Sequence, residues 1–254
     1  NLAPVTLVSI TGGDVGLASD GQVPGLYTKS AFGEFRGDVW AGPAGEFVAW
    51  VRELERDPVM LRAYGGQPSG MQSELLRRYA AEYERAWGQF FSSVQAKPGM
   101  DDAGVRHFLD LASGEDSPVL KLLRSALENA RFEAGAPAEL GELRESFGTL
   151  EDFFTKPGGN VVLRRIREWG GKEVAPSAEY LQLVKDLSAD FDKIGDRPES
   201  APAVTKLETW IRRHVDSDAP MTGAVAHVLR LPALAVTKTR EHGRAGELEA
   251  AWQG

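Results

Sequence analysis

Between residues 71 and 96 the chain places Leu76, Tyr79, Tyr83, Trp87, Phe90 and Val94 in steps of three or four, with Arg77, Arg78, Glu82, Glu84, Arg85 and Gln89 between them. Steps of that size put the rings on one face of a helix and the charges on the other. The spacing predicts a long helix that buries its rings against other helices, each ring removing about 150–250 Å² from water. On the outer face, Arg78 and Glu82, and Arg77 and Glu84, are expected to sit at neighbouring turns. Lys97-Pro98-Gly99 should end the helix.

The same period recurs along most of the chain. It predicts helices over 45–55, 102–112, from Ser117-Pro118 to about Arg131, and over 138–155, 159–169, 177–194, 201–214, 220–229 and 244–253. Asp57-Pro58 stops the first of these, and loops such as KPGG, GGKEVAPS, GDRPES, DSDAP and EHGR separate others. Residues 4–9, PVTLVS, alternate and read as one short strand with no convincing partner nearby, followed by the glycine-rich loop TGGDVGLASDGQVPG. Trp50, Trp169, Trp210 and Trp252 fall near the apolar faces of their helices and read as core anchors. The fold class is therefore mainly α, a multi-helix bundle with a short β/loop segment at the N-terminus. Residues 1–97 and 98–254 form two candidate subdomains, divided near Lys97–Asp101, with helices on both sides free to share one core.

Composition narrows the function classes. The 254 residues are 42% hydrophobic and 26% charged, as in a folded chain with a sizeable core, and contain no cysteine. Thiolate metal sites and cysteine nucleophiles are thereby excluded. A net charge of −8 argues against nucleic acid as a partner, because neutralising phosphates needs a positive face. Base-stacking rings, likewise, sit in a positive field. No apolar run reaches the ~18–20 residues that span a bilayer. The start, NLAPVTLVSITGG, has neither a basic leader nor an initiator Met and reads as a cut inside a longer polypeptide.

Catalytic patterns are sparse. TGGDVG at 11–16 lacks the lysine and hydroxyl of a phosphate loop and the second parallel strand of a dinucleotide fold. His107, His214, His227 and His242 include no i, i+4 pair for a metal. HVDSD at 214–218 reads as a helix end, its histidine favouring the C-terminus and its aspartates capping the next helix. Glu151/Asp152 and Asp190/Asp192 are adjacent or nearly adjacent acids that point in different directions on a helix. A cleft of acids such as Glu151 and Asp152 remains the enzymatic alternative. No catalytic residue, cofactor-binding residue or metal ligand is assigned, and no enzyme activity is expected.

Several segments, read in order, resemble the IcmF/TssM family of type VI secretion membrane-core proteins. QVPGLYTKSAF (22–32) is similar to the family's VPGLYT turn, and LLRRYAAEYERAWGQFF (75–91) to its Y-x-x-x-Y-x-x-x-W-x-x-F helix. SPVLKLLRSALENARF (117–132), VLRLPALAV (228–236) and LEAAWQ (248–253) follow in the family's order. Ser30-Ala31-Phe32 departs from the usual glycine-aromatic pair, and the family's membrane helices, NTPase-like domain and C-terminal β-rich portion have no counterpart in these residues. The resemblance implies a largely helical slice of the periplasmic region, in a protein anchored in the inner membrane. That slice would be a structural support for a trans-envelope channel, with self-association and contacts to an outer-membrane lipoprotein and an inner-membrane partner. It implies no cofactor and no membrane insertion by these residues. A soluble helical adaptor holding a peptide helix in an apolar groove is the other reading.

As contact surface the sequence offers the loop 21–30 and the tail after Leu231. In the loop, Val23, Leu26 and Tyr27 are apolar residues in a Gly/Pro setting. They either meet a partner or fold back as a lid on the first helices.

Overall fold

A computed structural model describes residues 2–33, 35–36, 39–63, 71–132, 137–155, 175–195, 197–215 and 220–253. The expected helix over 159–169, with Trp169, lies outside the described residues. Those described form a mainly α fold. In chain order the helices are α1 (Leu7–Thr11), α2 (Pro43–Arg56), α3 (Pro58–Ala63), α4 (Met71–Ser93), α5 (Asp102–Ser113), α6 (Pro118–Ala130), α7 (Ala138–Ser146), α8 (Gly148–Thr155), α9 (Pro176–Asp190), α10 (Pro202–His214) and α11 (Pro220–Gln253).

Short strands fasten the N-terminal segment. β1 (Val5–Thr6) pairs antiparallel with β3 (Gln22–Val23), β2 (Leu17–Ala18) with β6 (Gln95–Ala96), and β4 (Phe35–Arg36) with β5 (Val39–Trp40). The strand expected over 4–9 survives only at β1. At Thr6 the chain turns into α1, because Thr6 and Ser9 close a reciprocal capping box. The cap at one end and the Gly12 amide bonded to the Val8 carbonyl at the other close α1 as a single turn. The β2–β6 pair stitches the glycine-rich loop to the end of α4. Gly16 there has φ +76°, and a Cβ on it would come within 2.9 Å of Phe108 on α5, so only glycine fits.

α4 is the spine. Leu76, Tyr83, Trp87, Phe90, Phe91 and Val94 are all buried. Their rings meet edge to face, with Trp87 6.1 Å from Phe90 and 5.9 Å from Phe91. On the outer face Arg78 pairs with Glu74 and Arg85 with Glu82. α11 packs along α4, α5 and α10. The two helices expected over 220–229 and 244–253 are one, running through Pro232. Proline removes a hydrogen bond and normally breaks a helix. Here Leu229, Leu231, Ala233, Ala235 and Val236 are buried on both sides of it, and that packing holds the axis together. The single helix expected over 138–155 is instead α7 and α8, broken at Phe147.

One hydrophobic cluster runs from Leu7 to Val236 and includes residues before and after Lys97. Where α5, α9 and α11 meet, the Phe191 ring lies under two guanidinium groups, Arg240 at 4.6 Å and Arg106 at 5.4 Å. Arg240 also donates to the Phe191 carbonyl at 3.1 Å and to Asp102 at 2.9 Å, while Arg106 pairs with Asp192. The Arg106 guanidinium holds the Asp192 carboxyl below its ordinary range.

Candidate functional site

The segment Gln22–Phe32 lies across α4 and the end of α6, held there by the polar tips of the aromatic helix. Tyr79 donates its hydroxyl to the Leu26 carbonyl at 2.6 Å, and Trp87 donates Nε1 to the Tyr27 carbonyl at 3.1 Å. Tyr83 donates to the Asn129 carbonyl at 2.7 Å, and the Asn129 side-chain oxygen accepts from the Lys29 amide at 3.1 Å. Thr28, itself buried, donates Oγ1 to the Gly25 carbonyl at 2.6 Å and closes the turn. Every one of these acceptors is a loop or helix-end oxygen without a strand partner, the kind of group that costs free energy if buried unpaired.

Rings fill the space beneath. Tyr27 lies 5.8 Å from Tyr79 and 6.4 Å from Tyr83, and Phe32 lies 5.2 Å from Tyr79 and 5.5 Å from Phe132. Gly25 is required by close approach: a Cβ there would come within 2.5 Å of the Leu2 carbonyl oxygen. Burial pushes the Tyr79 hydroxyl well above the usual tyrosine value, with a smaller contribution from Tyr27, and burial pushes Tyr83 up as well. Both phenols therefore stay protonated at neutral pH and act as hydrogen-bond donors. The arrangement is chemically a clasp: neutral donors closing on carbonyls.

The three contact candidates part company here. Val23 is fully buried in β3 and has no surface to offer. Tyr27 is half-buried against the core. Leu26 keeps 46% of its surface exposed. The tail after Leu231 divides in the same way, since Leu231 to Val236 belongs largely to the core and the exposed run begins only at Glu241.

The tryptophans also need correction. Trp210 packs on the core, but Trp50 is 50% exposed and Trp252 91% exposed, so neither is a core anchor. Spacing had placed them on a stripe, and no described element covers that stripe.

Of the acids singled out, Glu151 faces Arg131 at 3.3 Å. His214 stacks on Trp210 at 4.4 Å and bonds its carbonyl through Nδ1, while Asp216 and Asp218 lie outside the described residues. Among the described residues no group of three or more His, Asp or Glu is placed to hold a metal ion.

Two residues escaped the sequence reading. Asn129 joins the clasp to α6, and its one signal was an amide in the last turn of an amphipathic helix, where carbonyls go unpaired. Phe47 stacks on Trp50 at 5.7 Å, and both are about half exposed. Its signal was an aromatic pair three residues apart beside Glu46 and Glu53.

Compared with known proteins, residues 2–131 match the family described as IcmF-related (Intracellular multiplication and human macrophage-killing). That stretch contains the clasp, α4 and α6, and it is just over half of the 254 residues. No curated protein matches the chain, and no solved structure does. Among the described residues no helix is long and apolar enough to cross a membrane.

Proposed function

The chain belongs to the IcmF-related family, which implies a component of a multi-protein secretion complex of the type VI kind, and from that premise we propose that it is a periplasmic, non-enzymatic structural segment of the membrane core. Its task is to hold its shape between contacts with copies of itself and with the other core subunits, an outer-membrane lipoprotein and an inner-membrane partner. The observation that carries this reading is the clasp. The polar atoms of Tyr79, Tyr83 and Trp87 are committed to backbone carbonyls, and burial keeps both phenols protonated. A site built so fixes a segment, and that supports a structural role.

The test exploits the absence of cysteine from these 254 residues. Val8, 65% exposed, is replaced by cysteine in the protein expressed from its own locus. A maleimide that passes the outer membrane but not the inner one should label it in intact cells. In the same cells, Tyr27→Ala with Leu26→Ala should reduce co-purification of the other core subunits. Labelling only after lysis would overturn the compartment. Hydrolytic turnover by the purified chain, abolished by one point substitution, would overturn the structural role.

A further inference from the structure

We infer that the outward face of α2 is a docking site for an amphipathic helix of a partner protein whose apolar stripe is flanked by lysine or arginine. Phe47 and Trp50 are stacked on each other, and each leaves about half its surface in water, 47% and 50%. An isolated exposed apolar residue is ordinary, whereas a stacked aromatic pair on one face is the composition of an interface centre. At 3.6 residues per turn, Glu46 and Glu53 lie on the same stripe as Trp50, one turn before and one turn after it, and both are exposed.

The helix's own cations lie off the aromatic stripe, with Arg56 one turn beyond Glu53. Arg52 and Arg56 stand about 160° and 120° around the axis from Trp50, and Arg52 donates to Gln72 at 3.4 Å. The stripe is therefore aromatic with acidic ends. A helix laid along it can bury the two rings in its own side-chain ridges and place cations against Glu46 and Glu53. A second copy of this chain fits poorly. A symmetric pairing centred on Trp50 sets the same carboxylates near one another, between chains that each carry a net charge of −8.

The experiment titrates the whole chain, with its tryptophan indoles labelled with nitrogen-15, with a designed Leu/Lys amphipathic helical peptide and with its Leu/Glu counterpart. The Trp50 indole signal is assigned by its loss in Trp50→Phe. The Leu/Lys peptide should shift that signal saturably, and the Leu/Glu peptide should not. Phe47→Ser with Trp50→Ser should weaken binding about tenfold or more. Glu46→Lys with Glu53→Lys should weaken it by about tenfold. Glu115→Lys with Glu128→Lys, which changes the net charge equally at exposed sites elsewhere, should leave it within about twofold. Equal binding of both peptides would overturn the inference, as would equal losses from the two lysine pairs or undiminished binding by the serine variant. So would a dimer of the free chain that the serine variant abolishes.

Discussion

α4 and α2 carry the same kind of side chain and treat it oppositely. On α4, Tyr83, Trp87, Phe90 and Phe91 are buried, and the tips of Tyr79, Tyr83 and Trp87 are bonded to carbonyls 46 to 60 residues away in sequence. On α2, Phe47 and Trp50 stack on each other and face water. Both helices are amphipathic in the usual sense. What separates them is the length of the apolar stripe: α4 presents rings and aliphatics over five turns, enough for the loop, α6, α7 and α11 to close on it. α2 buries Ala44, Val48 and Val51 on one side and has a second aromatic edge left over. A stripe tells which residues share a face, but only the neighbours decide whether that face is interior.

The comparison breaks most visibly at Trp87. Trp87→Ala removes the largest fully buried side chain and the donor to the Tyr27 carbonyl. A loss of about 3–5 kcal/mol is expected from the cavity alone, read by urea unfolding at neutral pH. A loss below about 1 kcal/mol would mean that α4 is no more an interior helix than α2.

Alkali should act on the buried phenols of α4 and α9 and leave α2 untouched. Tyr79, Tyr83 and Tyr180 all have their hydroxyls pushed above the ordinary value of 10.0, chiefly by burial. Above pH 10 the unfolded chain releases these protons while the folded chain keeps them, so it is the unfolded state that binds fewer. Stability from these groups is thus intact below pH 10 and is lost as pH rises toward the folded values. Each tyrosine adds about 1.4 kcal/mol per pH unit to the alkaline slope. Tyr180→Phe and Tyr83→Phe should each flatten that slope in unfolding measurements between pH 9 and 11, and Trp50→Phe should not.

The two helices also mark how far the sequence could be read. The α4 spine was legible because a stripe of six apolar positions over five turns has few alternatives to burial. The loop 22–32 was legible as apolar residues among Gly and Pro, but the donors that hold it were not, since pairings across 50 or more positions leave no local trace. Trp50 and Trp252 were misread because periodicity cannot show that no partner arrives. The strand foreseen over 4–9 lost to a capping box between Thr6 and Ser9, and Pro232 failed to divide α11 because tertiary burial outweighed the local break. The candidate site was therefore visible as a segment and invisible as a geometry: Leu26 could be named as apolar, while its standing as the one exposed member of the trio came only from packing.

A finer cut at the clasp is Tyr79→Phe. It keeps the ring that packs on Tyr27 and Phe32 and removes only the hydroxyl that Leu26 accepts from at 2.6 Å. A net cost of about 0.5–1.5 kcal/mol is expected. The readout that matters is local: amide exchange at Leu26 to Thr28 should quicken more than exchange in α6. A uniform change across both would mean that the hydroxyl supports the bundle in general and not the loop.

The smallest effect should fall on α2, and its smallness is the point. Phe47→Ser with Trp50→Ser exchanges two half-exposed rings for hydroxyls that water can satisfy. Half of each ring is already in water, and the inner face of the helix is carried by Ala44, Val48 and Val51, which the variant leaves in place. With half of each ring exposed in the folded state, the loss should stay well below that of Trp87→Ala. If the melting curve of this variant overlays that of the parent while Trp87→Ala is shifted far down, the two aromatic helices differ as interior and surface, and the rings on α2 are free to serve something other than the fold. A shift comparable to that of Trp87→Ala would instead make α2 a second closed face, and the case for a partner on it would go with the distinction.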